Sequence, residues 1–253
     1  MRALLYLLVA AVLAMILVLL WPGNGGVIVT AVAGLVFGLG LWGAVDMRTG
    51  IWGRAAHGGP SGSGAVALTY DDGPDPDSTP PLLDLLAERG VRAAFFCVGE
   101  RMRAHPELVR RLVAEGHELG NHGDSHSVWT NFFSAARLGR EVDACQRTAQ
   151  ELSGARPRFF RPPFGLVNHA TAGVLKAADL ELVGWRVRGM DLPGRDPARV
   201  ARRVLGRVGP GDVVLLHDGG REPELVVEAT RAVLDGLAER GLRVAPLGEL
   251  LGN

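Results

Sequence analysis

From residue 65 to the end of the chain, short apolar segments alternate with longer segments of helical periodicity. The apolar segments predict strands over residues 65–70, 91–98, 118–121, 158–161, 180–187, 212–216 and 242–245. The segments between them predict helices over residues 80–89, 106–115, 135–152, 168–178, 197–208 and 224–240. This alternation favours an α/β domain with a mostly parallel sheet, either a barrel or an open doubly wound sheet.

Composition excludes several classes of protein. The 253 residues include 27 basic and 27 acidic side chains, so no basic excess indicates nucleic-acid binding. The hydrophobic share of 47% is enough for one sizeable buried core. The two cysteines, Cys97 and Cys145, form no CxxC pair, which argues against a cysteine zinc site.

Polar side chains follow several of the predicted strands. Asp71 and Asp72 end the first strand in "ALTYDDGPDP", where two adjacent carboxylates repel each other beside an apolar segment. Histidines stand beside the third strand in "GHELGNHGDSH", Arg161 lies in "FFRPPFG", and His217 ends a late strand in "VVLLHDGG". The carboxyl ends of parallel strands meet at one edge, so we expect these groups to converge there.

The histidines indicate a metal site. His122 and His126 are four residues apart, a spacing that puts two imidazoles on one face of a helical turn. Exposed loop histidines are the alternative interpretation. A carboxylate from Asp71 or Asp72 would complete a set of two histidines and one carboxylate, for which zinc is the first candidate and other divalent ions are possible. The remaining aspartate would be free to act as a base.

Two further residues have a predicted role in proton transfer or in positioning. His217 can protonate a leaving group near neutral pH, although a packed structural histidine is the alternative. Arg161 precedes two prolines on a stiff turn and can pair with the free aspartate or bind an anion, with a surface arginine as the alternative. The other histidines are interpreted as linker, capping or structural residues: His57, His105, His117 and His169.

The N-terminal 45 residues contain two uncharged apolar runs, over residues 3–21 and 27–45, separated by "PGNGG". Each run is long enough to cross a bilayer, so we predict a two-helix transmembrane hairpin. A cleaved signal peptide is disfavoured because the first run is long and no small-residue cleavage site follows it. The α-amine and Arg2 on one flank, with Arg48 and Arg54 on the other, favour both ends, and the catalytic domain, in the cytoplasm.

Four motifs in the second part of the chain resemble, in order and spacing, those of the polysaccharide deacetylases, the NodB-homology enzymes of carbohydrate esterase family 4. They are "TYDDGP" (69–74), "NHGDSH" (121–126), "RPPFG" (161–165) and "LLHD" (215–218). The resemblance covers roughly residues 65–251. It implies a distorted (β/α) barrel that removes acyl groups from N-acetylated sugars with a divalent metal, usually zinc.

The resemblance also implies roles for individual residues. Asp72, His122 and His126 would hold the metal. Asp71 would be the general base that activates water, and Arg161 would orient it.

The remaining implied roles concern the leaving group and the acyl group. His217 would be the general acid, and Asp191 stands where the family has an aspartate that tunes this histidine. The backbone N–H of Phe164 would help to hold the oxyanion, and Leu215 would line the acyl pocket. Where this chain has Leu192, the family usually has a tryptophan that shapes the substrate groove.

The resulting prediction is a two-pass protein of a bacterial-type cell membrane, with helices in residues 1–46, a linker in 47–64 that is flexible over 57–64, and a catalytic domain in 65–251. Its expected activity is metal-dependent hydrolysis of the N-acetyl amide in an amino-sugar glycan: peptidoglycan, a chitin-like polymer or an exopolysaccharide. One alternative is a deacylase or deformylase of a lipid-linked amino sugar. Another is a carbohydrate-binding homologue without catalysis, which the intact set of candidate catalytic residues disfavours.

Overall fold

The structure, a computed structural model, describes residues 10, 12–13, 15–154 and 156–252. Eight strands form one sheet: β1 (Ala65–Asp71), β2 (Ala94–Cys97), β3 (Glu118–Asn121), β4 (Phe159–Phe160), β5 (Glu181–Leu182), β6 (Val187–Arg188), β7 (Val213–His217) and β8 (Arg243–Val244). The α-helices are α1 (Gly25–Val45), α2 (Thr79–Glu88), α3 (Gly99–Ala104), α4 (Pro106–Ala114), α5 (Ala135–Ser153), α6 (Thr171–Ala178), α7 (Pro197–Leu205), α8 (Pro223–Glu239) and α9 (Leu247–Leu251).

The sheet is parallel throughout and curls toward a barrel. Its strands follow the order β5-β4-β3-β2-β1-β7-β6, and β8 pairs with the start of β1. Only residues 183–186 separate β5 from β6, yet these strands stand at opposite ends of the order. The predicted strand over residues 180–187 is therefore two short strands, because the chain crosses there from one edge to the other. Of the two predicted architectures, the structure therefore has the barrel type, as a half-barrel, and not the open doubly wound sheet.

Strand β1 is the centre of the sheet and is buried along its whole length. Its side chains alternate between two packed faces, as the twofold period of a strand requires. Val66, Leu68 and Tyr70 pack with apolar residues of the surrounding helices, whereas Ala65 and Ala67 belong to the interior cluster. The same alternation turns the last interior position, at the end of the strand, toward the inside of the half-barrel. That position is occupied by an acid, Asp71.

The six predicted helices of the second part of the chain are present, with ends shifted by up to three residues. The short helices α3 and α9 were not predicted, because six and five residues are too few to establish a helical period. The predicted strands over residues 91–98 and 158–161 are shorter in the structure, where they are β2 and β4.

Helix α1 is the only helix in the described part of the chain that is long and apolar enough to cross a membrane, judged by length and composition. Its C-terminal end docks on the domain: Val167 donates its N–H to the carbonyl of Ala44 at 3.0 Å, and the indole of Trp52 donates to the carbonyl of Gly40 at 2.9 Å. In the other predicted span, residues 3–21, the described residues 10, 12–13 and 15–20 are helical, whereas residues 3–9, 11 and 14 lie outside the described part of the chain. The hairpin therefore stays a prediction.

Residues 57–59, the first part of the segment 57–64 that we predicted to be a flexible linker, are instead packed against neighbouring backbone. Gly59 donates its N–H to the carbonyl of Gly211 at 2.9 Å. A Cβ on Gly59 would collide with the carbonyl of Leu250, and one on Gly58 would collide with that of Gly211. These glycines therefore allow close backbone packing, and the interpretation of residues 57–59 as flexible was wrong.

Candidate active site

The carboxyl ends of the strands bring the predicted site residues to one edge. The register of β1 and β7 makes Asp71 the direct neighbour of His217. Arg161 directly follows β4, and its N–H bonds to the carbonyl of Asn121 at the end of β3 at 3.0 Å. Segments far apart in sequence thus supply a compact group of acids, bases and a guanidinium, as the parallel arrangement predicted.

Three of these residues could hold a metal ion. Oδ1 of Asp72 lies 3.3 Å from Nε2 of His122 and 3.0 Å from Nε2 of His126. One ligand atom from each residue lies within 4.8 Å of the other two. Ligands that share a tetrahedral zinc ion at bond lengths near 2.0–2.1 Å are about 3.3 Å apart, so this donor set fits such an ion.

The hydrogen bond on the far side of one imidazole supports the same interpretation. Nδ1 of His122 lies 2.7 Å from the carbonyl oxygen of Arg161. A carbonyl only accepts, so Nδ1 carries the proton and the lone pair of Nε2 points at the Asp72 carboxylate. Two acceptor lone pairs that face each other repel, and a cation between them would remove this repulsion.

The segment that carries the two imidazoles is a loop, and the predicted helical turn between them is absent. Gly123 has a φ of 79°, which a helix does not allow. The imidazoles converge because the loop is held from outside: Oε2 of Glu141 accepts hydrogen bonds from the N–H and the hydroxyl of Ser125, both at 2.9 Å. Oδ1 of Asn121 accepts the N–H of Gly123 at 2.9 Å. No feature of the sequence singled out Glu141, which lies on the helix that follows.

Asp71 is held by a buried guanidinium. Nη1 of Arg161 donates to Oδ1 of Asp71 at 2.6 Å and to the hydroxyl of Thr69 at 2.8 Å. Its Nη2 donates to the carbonyl of Gly184 at 3.0 Å, and the guanidinium lies 4.1 Å from the centre of the Phe96 ring. Burial lowers the pKa of Arg161, while the Asp71 carboxylate opposes that shift. Thr69 was missed by the sequence analysis, because a threonine in a strand carries no signal of such a role.

His217 is held by Asp191. Nδ1 of His217 lies 3.0 Å from Oδ1 of Asp191, and the backbone N–H of His217 donates to Oδ2 at 2.7 Å. Burial lowers the pKa of His217, but the carboxylate of Asp191 outweighs it, so the pKa lies above its ordinary value. Since Nδ1 is engaged, Nε2 is the ring atom left for proton transfer.

The backbone around the site adopts left-handed conformations. Asp72, His126, Phe164 and Met190 have φ values of 73°, 49°, 60° and 59°. Among the described residues other than glycine, a positive φ also occurs at Asp179, which ends a helix. Such conformations cost of order 1 kcal/mol each and persist where the surrounding structure imposes them, often at functional sites.

The remaining predicted residues border the same region. Phe164 is 53% exposed, and its ring centre is 4.7 Å from that of His126. Leu215 is buried beside Thr69 in the sheet register, and Leu192 is partly exposed next to Asp191.

The other histidines were predicted to have no catalytic role, and the structure places most of them accordingly. His117 is buried and accepts the N–H of Ala93 on Nδ1 at 3.1 Å, while His105 and His169 lie outside the site. His57 is the exception, because it lines a cavity beside Phe164.

Comparison with known proteins shows which proteins this chain resembles. The family model of polysaccharide deacetylases matches residues 58–183. The chain is 34% identical over 194 residues to a peptidoglycan-N-acetylglucosamine deacetylase of Bacillus cereus, covering 76% of this chain and 90% of that protein. It is 35% identical over 210 residues to a chitooligosaccharide deacetylase of Bradyrhizobium sp. (strain ANU 289), covering 78% and 95%.

A solved structure resembles the fold as well. The Bc1960 peptidoglycan N-acetylglucosamine deacetylase, in complex with 4-naphthalen-1-yl-N-oxidanyl-benzamide, superposes with a TM-score of 0.74 at 32% sequence identity. The match covers 79% of this chain and 93% of that chain.

Proposed function

The chain belongs to the polysaccharide deacetylase family, and we propose that it hydrolyses the N-acetyl amide of an amino sugar in a glycan, with a divalent metal held by Asp72, His122 and His126. The observation that carries this proposal is the approach of the Asp72 carboxylate to both imidazoles, at 3.3 and 3.0 Å. Zinc is the metal we propose first, because a set of two histidines and one carboxylate leaves positions open for water and substrate.

The first half of the proposed reaction is attack on the amide carbonyl. When bound, the metal supplies a Lewis acid that polarises a carbonyl and lowers the pKa of water. Asp71 accepts the proton of the attacking water, and its Oδ2, 3.9 Å from Nε2 of His122, is the oxygen not bonded to Arg161. Arg161 fixes the carboxylate at one end, and the backbone N–H of Phe164 donates to the developing oxyanion.

The second half is departure of the amine. His217 donates a proton from Nε2 to the amine nitrogen, because Nδ1 is engaged by Asp191. A raised pKa keeps His217 protonated at higher pH than an ordinary histidine, which suits a general acid. Leu215 lines the space for the methyl of the acetyl group.

The proposal is tested with the full chain in detergent, by measuring acetate release from N-acetylchitooligosaccharides and peptidoglycan. Activity should disappear on dialysis against a chelator and return with zinc. Asp72→Asn should remain inactive after zinc is restored, whereas Asp143→Asn, on an exposed position of α5, should behave like the wild type. Full acetate release by chelator-treated protein, or by Asp72→Asn, would overturn the proposal.

We propose further that α1 anchors the protein to a membrane, within the predicted organisation of membrane helices in residues 1–46, a connection in 47–64 and a catalytic domain in 65–251. The support is an uncharged helix with a mean hydropathy of 2.1 in its most apolar window, 11% of which is buried. Both the two-pass arrangement and the cytoplasmic location of the domain belong to this proposal. A reporter fused to the C-terminus tests on which side of the membrane the domain lies. Activity of a reporter that works only outside the cytoplasm would contradict the cytoplasmic location.

A lipid-linked amino sugar is a second candidate substrate. It is favoured by the docking of α1 beside the site: Val167, which bonds to Ala44 of the helix, is three residues from Phe164. A membrane anchor at this place would keep the catalytic groups close to the bilayer. Faster acetate release from a lipid-linked than from a soluble N-acetylated sugar of the same structure would support this candidate, and the reverse order would reject it.

A further inference from the structure

A cavity of about 290 Å³ lies between the C-terminal end of α1 and the loop that carries Phe164. We call it the basic cavity. Its charged, polar and aromatic lining includes Asp46, Arg48, His57, Trp185, Arg186 and Arg188. None of these residues takes part in the reaction proposed above, so the cavity needs a separate explanation.

The charge of the basic cavity is positive, with three arginines against one carboxylate in its lining. Arg48 engages Asp46 through bonds of 2.9 and 3.1 Å, which occupy both oxygens of that carboxylate. Arg186 lies 3.3 Å from Asp212. Arg188 has no carboxylate partner among the described residues, and its guanidinium lies 6.0 Å from the centre of a Trp185 ring. One guanidinium is therefore free to bind an anion.

His57 belongs to this lining, but its ring nitrogens are shielded from the cavity. Both of its ring nitrogens are buried, and neither makes a well-formed hydrogen bond to a described residue. Burial lowers the pKa of His57, and weak contacts with the backbone of Trp185 and Met47 offset this only in part. His57 therefore packs beside the cavity, and the arginines are the groups that can meet an anion there.

The basic cavity also adjoins the candidate active site. Phe164 lines the cavity, and its ring is in contact with that of the proposed metal ligand His126. Gly165, next in the chain, packs so closely on Trp185 that a Cβ would meet the indole. Phe164 therefore borders both the basic cavity and the proposed metal site.

We propose that the basic cavity binds an oxyanion, a phosphate or a carboxylate, that belongs to the glycan substrate and lies next to the amino sugar being deacetylated. This proposal rests on the proposed function and deepens it, because it assigns the substrate a negative charge. Arg188 binds the anion through its planar fork of N–H donors. Neutral chitin-like oligosaccharides are then poorer substrates than charged ones.

The test compares N-acetylchitotetraose with the same tetraose carrying a 1-phosphate or a terminal uronic acid. The full chain is placed in nanodiscs of phosphatidylcholine, and kcat/KM is measured for each probe. We expect a preference for the charged probes of about tenfold, the effect of one charge-assisted hydrogen bond, and a decline of this preference with added salt. Arg188→Gln should bring the ratio close to one, and Arg199→Gln, an exposed arginine of α7, should preserve it.

A ratio near one in the wild type, or an unchanged ratio in Arg188→Gln, overturns the proposal. The charged probes could show no advantage in phosphatidylcholine nanodiscs, while the neutral probe is hydrolysed faster in phosphatidylglycerol nanodiscs in a way that depends on Arg188. That result would assign the cavity to lipid headgroups and would also overturn the proposal. Calorimetric binding of the same probes to Asp71→Asn measures the ratio without turnover. Failure of deacetylation is thereby distinguished from failure of anion binding.

Discussion

Nη1 of Arg161 lies 2.6 Å from Oδ1 of Asp71, and both side chains are almost completely buried. The pair fixes one oxygen of the proposed base and leaves the other facing the metal ligands. The same guanidinium is bonded to Thr69 of the central strand, so the orientation of Asp71 is set by the sheet itself. This arrangement suits a base that must point in one direction, and it makes Asp71 important for both activity and stability.

Replacing Asp71 with asparagine should lower kcat by roughly 10²–10⁴-fold, because the amide cannot accept the proton of water. The metal content should stay at the wild-type level, since all three proposed ligands remain. Acetate release and elemental analysis of the same sample measure the two quantities. Wild-type turnover, or loss of metal from a folded sample, would contradict the assigned role.

The control for this variant concerns stability. Asp71→Asn leaves the buried guanidinium of Arg161 without its counter-charge, a change that costs about 3–5 kcal/mol in typical buried pairs. Asp71→Glu keeps the charge but moves the carboxylate by one methylene. It should unfold at a higher temperature than Asp71→Asn and still lose at least about 100-fold in kcat, which separates the chemical effect from the structural one.

Replacing His126 with alanine should remove the metal, because it deletes one of three ligands. The loss of affinity should exceed the roughly 10–100-fold that follows removal of a group supporting a ligand. Zinc content after dialysis, measured by mass spectrometry, tests this. His169→Ala, at an exposed position outside the site, is the matched control and should keep its zinc. Stoichiometric zinc in His126→Ala would reject the proposed ligand set.

The convergence of these residues was predictable from the sequence because it depends on a general property of parallel sheets. Asp71, Arg161 and His217 each adjoin the end of a strand, and strand ends meet at one edge. The spacing of His122 and His126 correctly suggested that the two imidazoles lie close together. The reason differs from the predicted one, because a loop and not a helical turn joins them.

Other parts of the site could not be predicted because they depend on contacts between distant segments. Glu141 holds the loop at Ser125 from 16 residues away, and Thr69 meets a guanidinium 92 residues away. The glycines near His57 indicated flexibility by composition. Only the fold shows that they make room for neighbouring carbonyl groups.

Replacing Asp191 with asparagine should move the alkaline limb of the pH profile to lower pH. Burial lowers the pKa of His217, and the carboxylate of Asp191 raises it above the ordinary value. Without that charge the pKa falls, so the protonated acid is lost at a lower pH. The profile of kcat/KM against pH measures the shift, and an unchanged alkaline limb would exclude His217 as the acid coupled to Asp191.

Replacing His117 with asparagine should reduce the loss of stability at acid pH. Burial lowers the pKa of His117, and nearby Glu115 opposes this while Arg92 and Arg111 reinforce it. The pKa of His117 is lower in the folded than in the unfolded state. Its contribution to the free energy of unfolding is therefore fully present above the unfolded-state pKa, near 6.5, and is lost as the pH falls toward the folded-state pKa.

Asparagine cannot titrate, but its Oδ1 can still accept the N–H of Ala93 that Nδ1 of His117 accepts at 3.1 Å. At pH 8 His117→Asn should be less stable than the wild type by about 1–2 kcal/mol, because the smaller side chain leaves a void. The difference should narrow between pH 6.5 and 5, measured by urea denaturation of the full chain in detergent. A constant difference between His117→Asn and the wild type across this pH range would show that His117 does not limit acid stability.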